Sequence, residues 1–188
     1  HVTIGALNLV VDFAAGEECA EPGTLSLLRA GFGGDVGIVT EPTGLKVATS
    51  ERGLVFFRIK IKGRSGHASR PELAVNPLPR LQAVLDVVRQ YDVDIRAHDH
   101  PLLPPATCTP TMVTGGVKEN SIPDTCELTV DRRLLPGQKA EDAMSDLKAR
   151  LENLRSHDPD FAFEIAMLPQ SFAAAETDPG SEFVQTVL

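Results

Sequence analysis

The sequence predicts two kinds of domain in one chain, an α/β domain interrupted by an inserted α+β domain. Three observations carry this expectation. Two apolar segments near the start, residues 2–13 and 35–40, flank a short helical run, as in a β–α–β unit whose strands are covered on both faces. From about residue 52 the texture changes to strict alternation. Val55, Phe57, Ile59 and Ile61 interleave with Phe56, Arg58, Lys60 and Lys62, the mark of a strand with one wet face. Two apolar stripes at helical spacing then stand among further strands. With 188 residues, 42% of them hydrophobic, the chain can build one ordinary domain or two small ones.

Taken in order, Val2–Phe13 reads as a buried strand that Gly16 ends. Pro22-Gly23-Thr24 precedes a helical run, Leu25–Ala30, which Gly31, Gly33 and Gly34 stop. Asp35–Thr40 reads as a second buried strand, expected to lie parallel to the first through a crossover helix. Beyond the alternating strand, Leu78, Leu81, Val84, Leu85 and Val88 predict a helix with Pro77 and Pro79 in its opening turn. A Pro-rich loop, His98–Pro105, leads to a strand over Thr107–Val113, and Gly115-Gly116 turns the chain into another over Thr125–Leu134. Ala140, Ala143, Met144, Leu147, Leu151 and Leu154 form a helical stripe, with Glu141 and Asp142 favourable in its first turn. Phe161, Phe163, Ile165 and Met167 alternate along a last strand. The sum is β-α-β-β-α-β, the ferredoxin-like order, with helices on one face of an antiparallel sheet. The expected boundaries are 1–46 for part of the α/β domain, 47–168 for the insertion and 169–188 for the return.

The net charge of −8 argues against a nucleic-acid partner, which would meet a basic face. No apolar run approaches the roughly 18 residues of a membrane span, and no basic-then-apolar leader is present. Cys19, Cys108 and Cys126 form no CxxC pair and leave one odd, a usage that suits reduced thiols in the cytoplasm. The chain opens on a strand-like segment and closes within an apolar helical one, so a fragment of something longer is expected.

In parallel α/β sheets, ligands bind beyond the carboxyl ends of the strands. Glu17-Glu18 would follow the first strand there, and Glu41, in Thr40-Glu41-Pro42-Thr43, the second. Adjacent parallel strands would gather these carboxylates into a set suited to divalent cations, with one carboxylate left over to take a proton from metal-bound water. Taken singly, each is also an ordinary solvated turn. In the insertion, small residues surround His67 in Gly63-Arg64-Ser65-Gly66-His67-Ala68-Ser69, leaving an imidazole free to donate to an oxyanion. Asn120, in Asn120-Ser121-Ile122-Pro123, offers an amide with both donor and acceptor, and Arg133, in Asp131-Arg132-Arg133, a fork that matches a carboxylate. Turn formation and surface charge are the plain alternatives. His98-Asp99-His100 carries a spacing that also binds zinc, but it lies in the Pro-rich loop.

In their order and spacing these motifs resemble the zinc hydrolase family of acetylornithine deacetylase, succinyl-diaminopimelate desuccinylase, aminoacylase and glutamate carboxypeptidase. The resemblance covers nearly the whole chain. It implies a two-metal amidohydrolase acting on an N-acyl amino acid or small peptide, with zinc, or else cobalt or manganese, as the metal. It further implies Glu17 as general base, Glu18 and Glu41 as metal ligands and His67 as stabiliser of the tetrahedral intermediate, reaching a partner subunit's site in dimeric members. Asn120 and Arg133 would hold the substrate, and residues 47–168 would form the lid and homodimerisation domain beside part of a zinc-hydrolase catalytic domain. Two departures stand out. Gly16 and Ala20 occupy positions where the family shows Asp and Gly, and the family's His-x-Asp, bridging Asp and C-terminal ligand His have no counterpart, so the isolated chain is expected to be inactive. Two other readings remain, a non-catalytic dimerisation or ligand-binding module and an unrelated metal-binding protein using His98-Asp99-His100.

Overall fold

A computed structural model of the chain describes residues 2–4, 7–15 and 22–188, with the backbone alone for 2–4 and 7–9. Two compact units emerge, one of residues 1–48 and 178–188, the other of residues 49–177. The first contains β1 (Val2–Ile4), β2 (Leu7–Leu9), α1 (Pro22–Arg29) and, after the second unit, α4 (Glu182–Val187). Ser181 caps α4, its hydroxyl accepting from the Val184 N–H.

This unit corrects the expected parallel pair. β1 and β2 pair antiparallel with each other, Val2 opposite Leu9, so residues 2–13 are not one strand. Asp35–Thr40 forms no strand, and Val36, Ile38 and Val39 are exposed. The physical reason is partnership. An apolar strand of a parallel sheet is held by neighbouring strands and by layers on both faces, and the described residues bring neither to residues 35–40. The expected helical run, Leu25–Ala30, overlaps α1 and differs from it by a few residues at its start.

The second unit follows the expected element order. Its strands are β3 (Ser50–Glu51), β4 (Gly53–Lys62), β5 (Gly66–His67), β6 (Thr107–Gly115), β7 (Ser121–Ile122), β8 (Thr125–Leu134), β9 (Ala162–Met167) and β10 (Ala175–Glu176). Its helices are α2 (Leu78–Ile95) and α3 (Ala140–Glu152). The main sheet runs β6-β8-β4-β9 and is antiparallel throughout. β4 and β8 pair along ten residues, from Gly53 opposite Leu134 to Lys62 opposite Thr125. Strand alternation sends Val55, Phe57, Ile59 and Ile61 of β4 and Cys126, Leu128, Val130 and Leu134 of β8 to one face, where all are buried. Against that face lie Val84, Val88, Tyr91 and Ile95 of α2 and Ala143, Leu147 and Leu151 of α3. The other face keeps its charges, with Arg58 and Lys60 each 3.7 Å from Glu127 across the strand pair. Two small ribbons complete the unit, β5 with β7 and β3 with β10. No helix among the described residues is long and apolar enough to cross a membrane.

Candidate active site

The β5–β7 ribbon assembles the first part of the site. Gly66 pairs with Ile122 and His67 with Ser121, and the Ala68 N–H donates to the Asn120 carbonyl at 3.0 Å. Only glycine fits at residue 66, because a Cβ there would stand 2.8 Å from Ala74 Cβ. This close approach seats the ribbon on the 3-10 turn Pro71–Leu73 and its C-cap, Ala74. The ring of His67 is thereby turned toward Asn120, whose Nδ2 lies 3.5 Å from His67 Nε2. At the ring's other nitrogen, Nδ1, the Ser69 N–H donates at 3.2 Å and Ser69 Oγ lies 2.8 Å away. His67 and Asn120 are both exposed, so the pair is open to a ligand. Two residues widely separated in sequence thus form one polar pair.

Arg133 lies elsewhere. It pairs with Leu54, at the far end of β4 from Lys62 and Thr125. Eight steps along β8 separate Arg133 from Thr125, roughly 26 Å at the usual rise of a strand. Its guanidinium is held by Asp131 through two bonds, Nε to Oδ1 at 2.9 Å and Nη2 to Oδ2 at 3.0 Å. That grip uses the inner edge of the fork and leaves the outer edge for another acceptor. Its neighbour Arg132 faces the core at 3% exposure, an arrangement that the pairing of adjacent arginines with strand alternation could have revealed.

Of the remaining expected site residues, Glu41 alone falls among those described. Glu17 and Glu18, with Cys19, lie outside the described residues. Glu41 is exposed in an irregular segment, its carbonyl accepting from the Thr43 N–H at 2.7 Å. Among the described residues, no three His, Cys, Asp or Glu side chains group as a metal-holding set. His100, one of the tempting loop histidines, is engaged otherwise. Its Nδ1 accepts from the Leu102 and Leu103 N–H groups, both at 3.2 Å, and its Nε2 lies 3.1 Å from Glu176 Oε1. Cys108 and Cys126 are free and buried, and burial pushes the Cys108 thiol up to about 12.

The antiparallel sheet and its two helices carry both the histidine–asparagine pair and the tethered arginine, and the model of a peptidase dimerisation domain covers most of them. The model of that domain, the M20 peptidase dimerisation domain, matches residues 49–159. An acetylornithine deacetylase of Vibrio cholerae is 33% identical over 152 residues, covering 73% of this chain and 40% of the relative. An acetylornithine deacetylase of Vibrio atlanticus is 30% identical over 159 residues, covering 83% of this chain and 42% of the relative. Among solved structures, an aminopeptidase PepT of Bacillus cereus superposes with a TM-score of 0.65 at 15% identity, over 92% of this chain and 44% of that one. An M20 family metallo-carboxypeptidase of Sulfolobus solfataricus gives 0.54 at 16% identity, over 73% of this chain and 41% of that one. The chain belongs to the M20 family of metallopeptidases and amidohydrolases. It spans about two fifths of the length of the curated relatives it matches.

Proposed function

We propose that this chain serves the metal-dependent hydrolysis of an amide bond in an N-acyl amino acid or small peptide, as part of a cytoplasmic homodimer. The observation that carries the reading is the His67–Asn120 pair, two exposed polar side chains whose Nε2 and Nδ2 are held 3.5 Å apart by a ribbon of two-residue strands. An imidazole and an amide so placed are suited to an oxyanion forming at a substrate carbonyl. Arg133, oriented by Asp131, offers its free edge to a substrate carboxylate. Glu17 is the expected general base, and Glu18 and Glu41 are expected ligands of two divalent ions, zinc or else cobalt or manganese. The His-x-Asp, bridging Asp and C-terminal ligand His that such a site would need have no counterpart in these 188 residues, so this chain alone is expected to turn over nothing.

A small substrate cannot bridge the ~26 Å between the two ends of β8. The reading therefore assigns His67 and Asn120 to the site of one protomer and Arg133 to that of the other. β6 supports pairing between copies. It is an edge strand of nine residues in a matched dimerisation domain, and Met112 and Val113 on it are exposed.

The test mixes two inactive variants of the full-length, metal-loaded protein, Glu17→Gln and His67→Ala, with N-acetyl amino acids as substrates. If His67 acts across the dimer, mixed dimers regain one intact site and activity returns to roughly a quarter of wild type when subunits exchange randomly. No recovery sinks the assignment across the dimer. Unchanged activity in Glu17→Gln sinks Glu17 as the general base, and an intact wild-type dimer without any turnover supports the alternative, a non-catalytic dimerisation or ligand-binding module.

A further inference from the structure

We propose that Ser69 is a positioning residue that holds the ring proton of His67 at Nε2, the nitrogen facing Asn120. A neutral imidazole carries one proton, and the nitrogen that accepts a hydrogen bond is the one without it. The Ser69 hydroxyl, 2.8 Å from Nδ1, is by itself ambiguous, because a hydroxyl donates or accepts. The Ser69 backbone is not. Its N–H only donates, and it points at Nδ1 from 3.2 Å. With Nδ1 committed as an acceptor, the hydroxyl also finds its better role as a donor there, and the proton is left on Nε2. The turn cannot easily release this grip, since the Arg70 N–H donates to the His67 carbonyl at 2.9 Å and the Ala68 N–H to Asn120. Nε2–H is the form able to donate to a developing oxyanion, and Asn120 Nδ2, 3.5 Å away, is then a second donor facing the same space and not a hydrogen-bond partner of Nε2. This step rests on the functional reading above and names the residue that prepares its donor.

The chain contains its own references. His100 receives two backbone N–H groups at Nδ1 and faces a carboxylate at Nε2, so its proton also belongs on Nε2. His157 is the opposite case. The Ser156 hydroxyl donates to the Asn153 carbonyl at 2.7 Å, so its oxygen, 2.8 Å from His157 Nδ1, is left to accept from a proton on Nδ1. Serine beside histidine therefore has opposite consequences at the two places, and the backbone decides which.

Long-range ¹⁵N–¹H correlation spectra of the labelled chain test this, recorded once the ring shifts stop changing with rising pH and with His67 assigned by His67→Gln. His67 and His100 are expected as Nε2–H and His157 as Nδ1–H. In Ser69→Ala the backbone N–H stays and only the hydroxyl's donated bond is lost, so the ratio of Nε2–H to Nδ1–H at His67 is expected to fall by at most roughly three- to ten-fold, the factor one net hydrogen bond is worth. Ser69→Thr should restore it, and unchanged His100 and His157 signals show that the fold is intact. An Nδ1–H pattern at His67, or an unchanged ratio in Ser69→Ala, overturns the proposal. No substrate enters the measurement, so it stands or falls separately from turnover by the full-length protein.

Discussion

Replacing Tyr91 by Phe removes one oxygen from the centre of the inserted unit and leaves a buried guanidinium short of an acceptor. The Tyr91 hydroxyl donates to the Ala143 carbonyl at 3.3 Å and accepts from Arg132 Nε at 3.4 Å. Arg132 has no ion pair with a described carboxylate. Its other bonds go to the Arg133 carbonyl and, at 3.3 Å, to Gln138 Oε1. Ala143 lies inside α3, where the helix ladder already supplies its carbonyl with a donor. The loss therefore falls on Arg132. A buried charged donor deprived of its acceptor costs on the order of 1–3 kcal/mol, and a bond as long as this one belongs in the lower half, about 1.5 kcal/mol. The ring itself stays, and with it the guanidinium groups of Arg132 and Arg150 at 5.6 and 5.0 Å from its centroid. Urea unfolding should report that loss, and Tm should drop by about 5 °C. In an Arg132→Met background the same Tyr91→Phe change should become nearly neutral, because the orphaned charge is gone. The reasoning is refuted if Tyr91→Phe alone changes stability by less than about 0.3 kcal/mol, or costs as much with Met at position 132 as with Arg.

Two further outcomes follow from close packing and from burial. Gly66→Ala forces a Cβ to within 2.8 Å of Ala74 Cβ, so the β5–β7 ribbon must shift, lowering stability by about 1–3 kcal/mol and disturbing the His67 and Asn120 side-chain signals. Adding Ala74→Gly should restore both, and a Gly66→Ala chain with unaltered signals would show that the seat is not tight. Burial raises the Cys108 thiol from an ordinary 9.0 to about 12, so above the ordinary value the unfolded chain loses a proton that the folded chain keeps. Stability from this group is intact below about pH 8 and falls by about 1.4 kcal/mol per pH unit between about pH 9 and about pH 12. Unfolding midpoints of wild type and Cys108→Ala at about pH 8 and about pH 10 should therefore converge toward alkaline pH by about 1.4 kcal/mol. Parallel curves would contradict the assignment.

Much of the inserted unit was legible because alternation and helical spacing report burial directly. Val55, Phe57, Ile59 and Ile61 had to share a face, and Ala143, Leu147 and Leu151 had to meet it. The N-terminal apolar runs were misread because such a run specifies burial without specifying a partner, and β1 found its partner in β2, a few residues away. Of the candidate site, the residue types were legible and their meeting was not. His67 and Asn120 stood out by residue type, but their meeting depends on two strands of two residues each, too short to leave a periodic trace. Arg133 stood out as a fork for a carboxylate, but the inward turn of Arg132 is legible only from alternation, since a strand must send neighbours to opposite faces.

That last point ties stability to the site. β8 is built so that Cys126, Leu128, Val130 and Leu134 face the helices while Glu127, Thr129, Asp131 and Arg133 lie on the other side. A slip of one residue against β4 would exchange the two sets. Arg133 would then turn inward and lose Asp131, and Arg132 would leave Tyr91 and Gln138 with nothing to bind. Apolar burial already resists such a slip, and Arg132 adds a polar condition, since its two side-chain acceptors wait at one register only. A lone buried guanidinium is weak support for stability as such. Here it sits one residue from the fork that must stay outside, so what anchors Arg132 also keeps Arg133 presented to solvent beside Asp131.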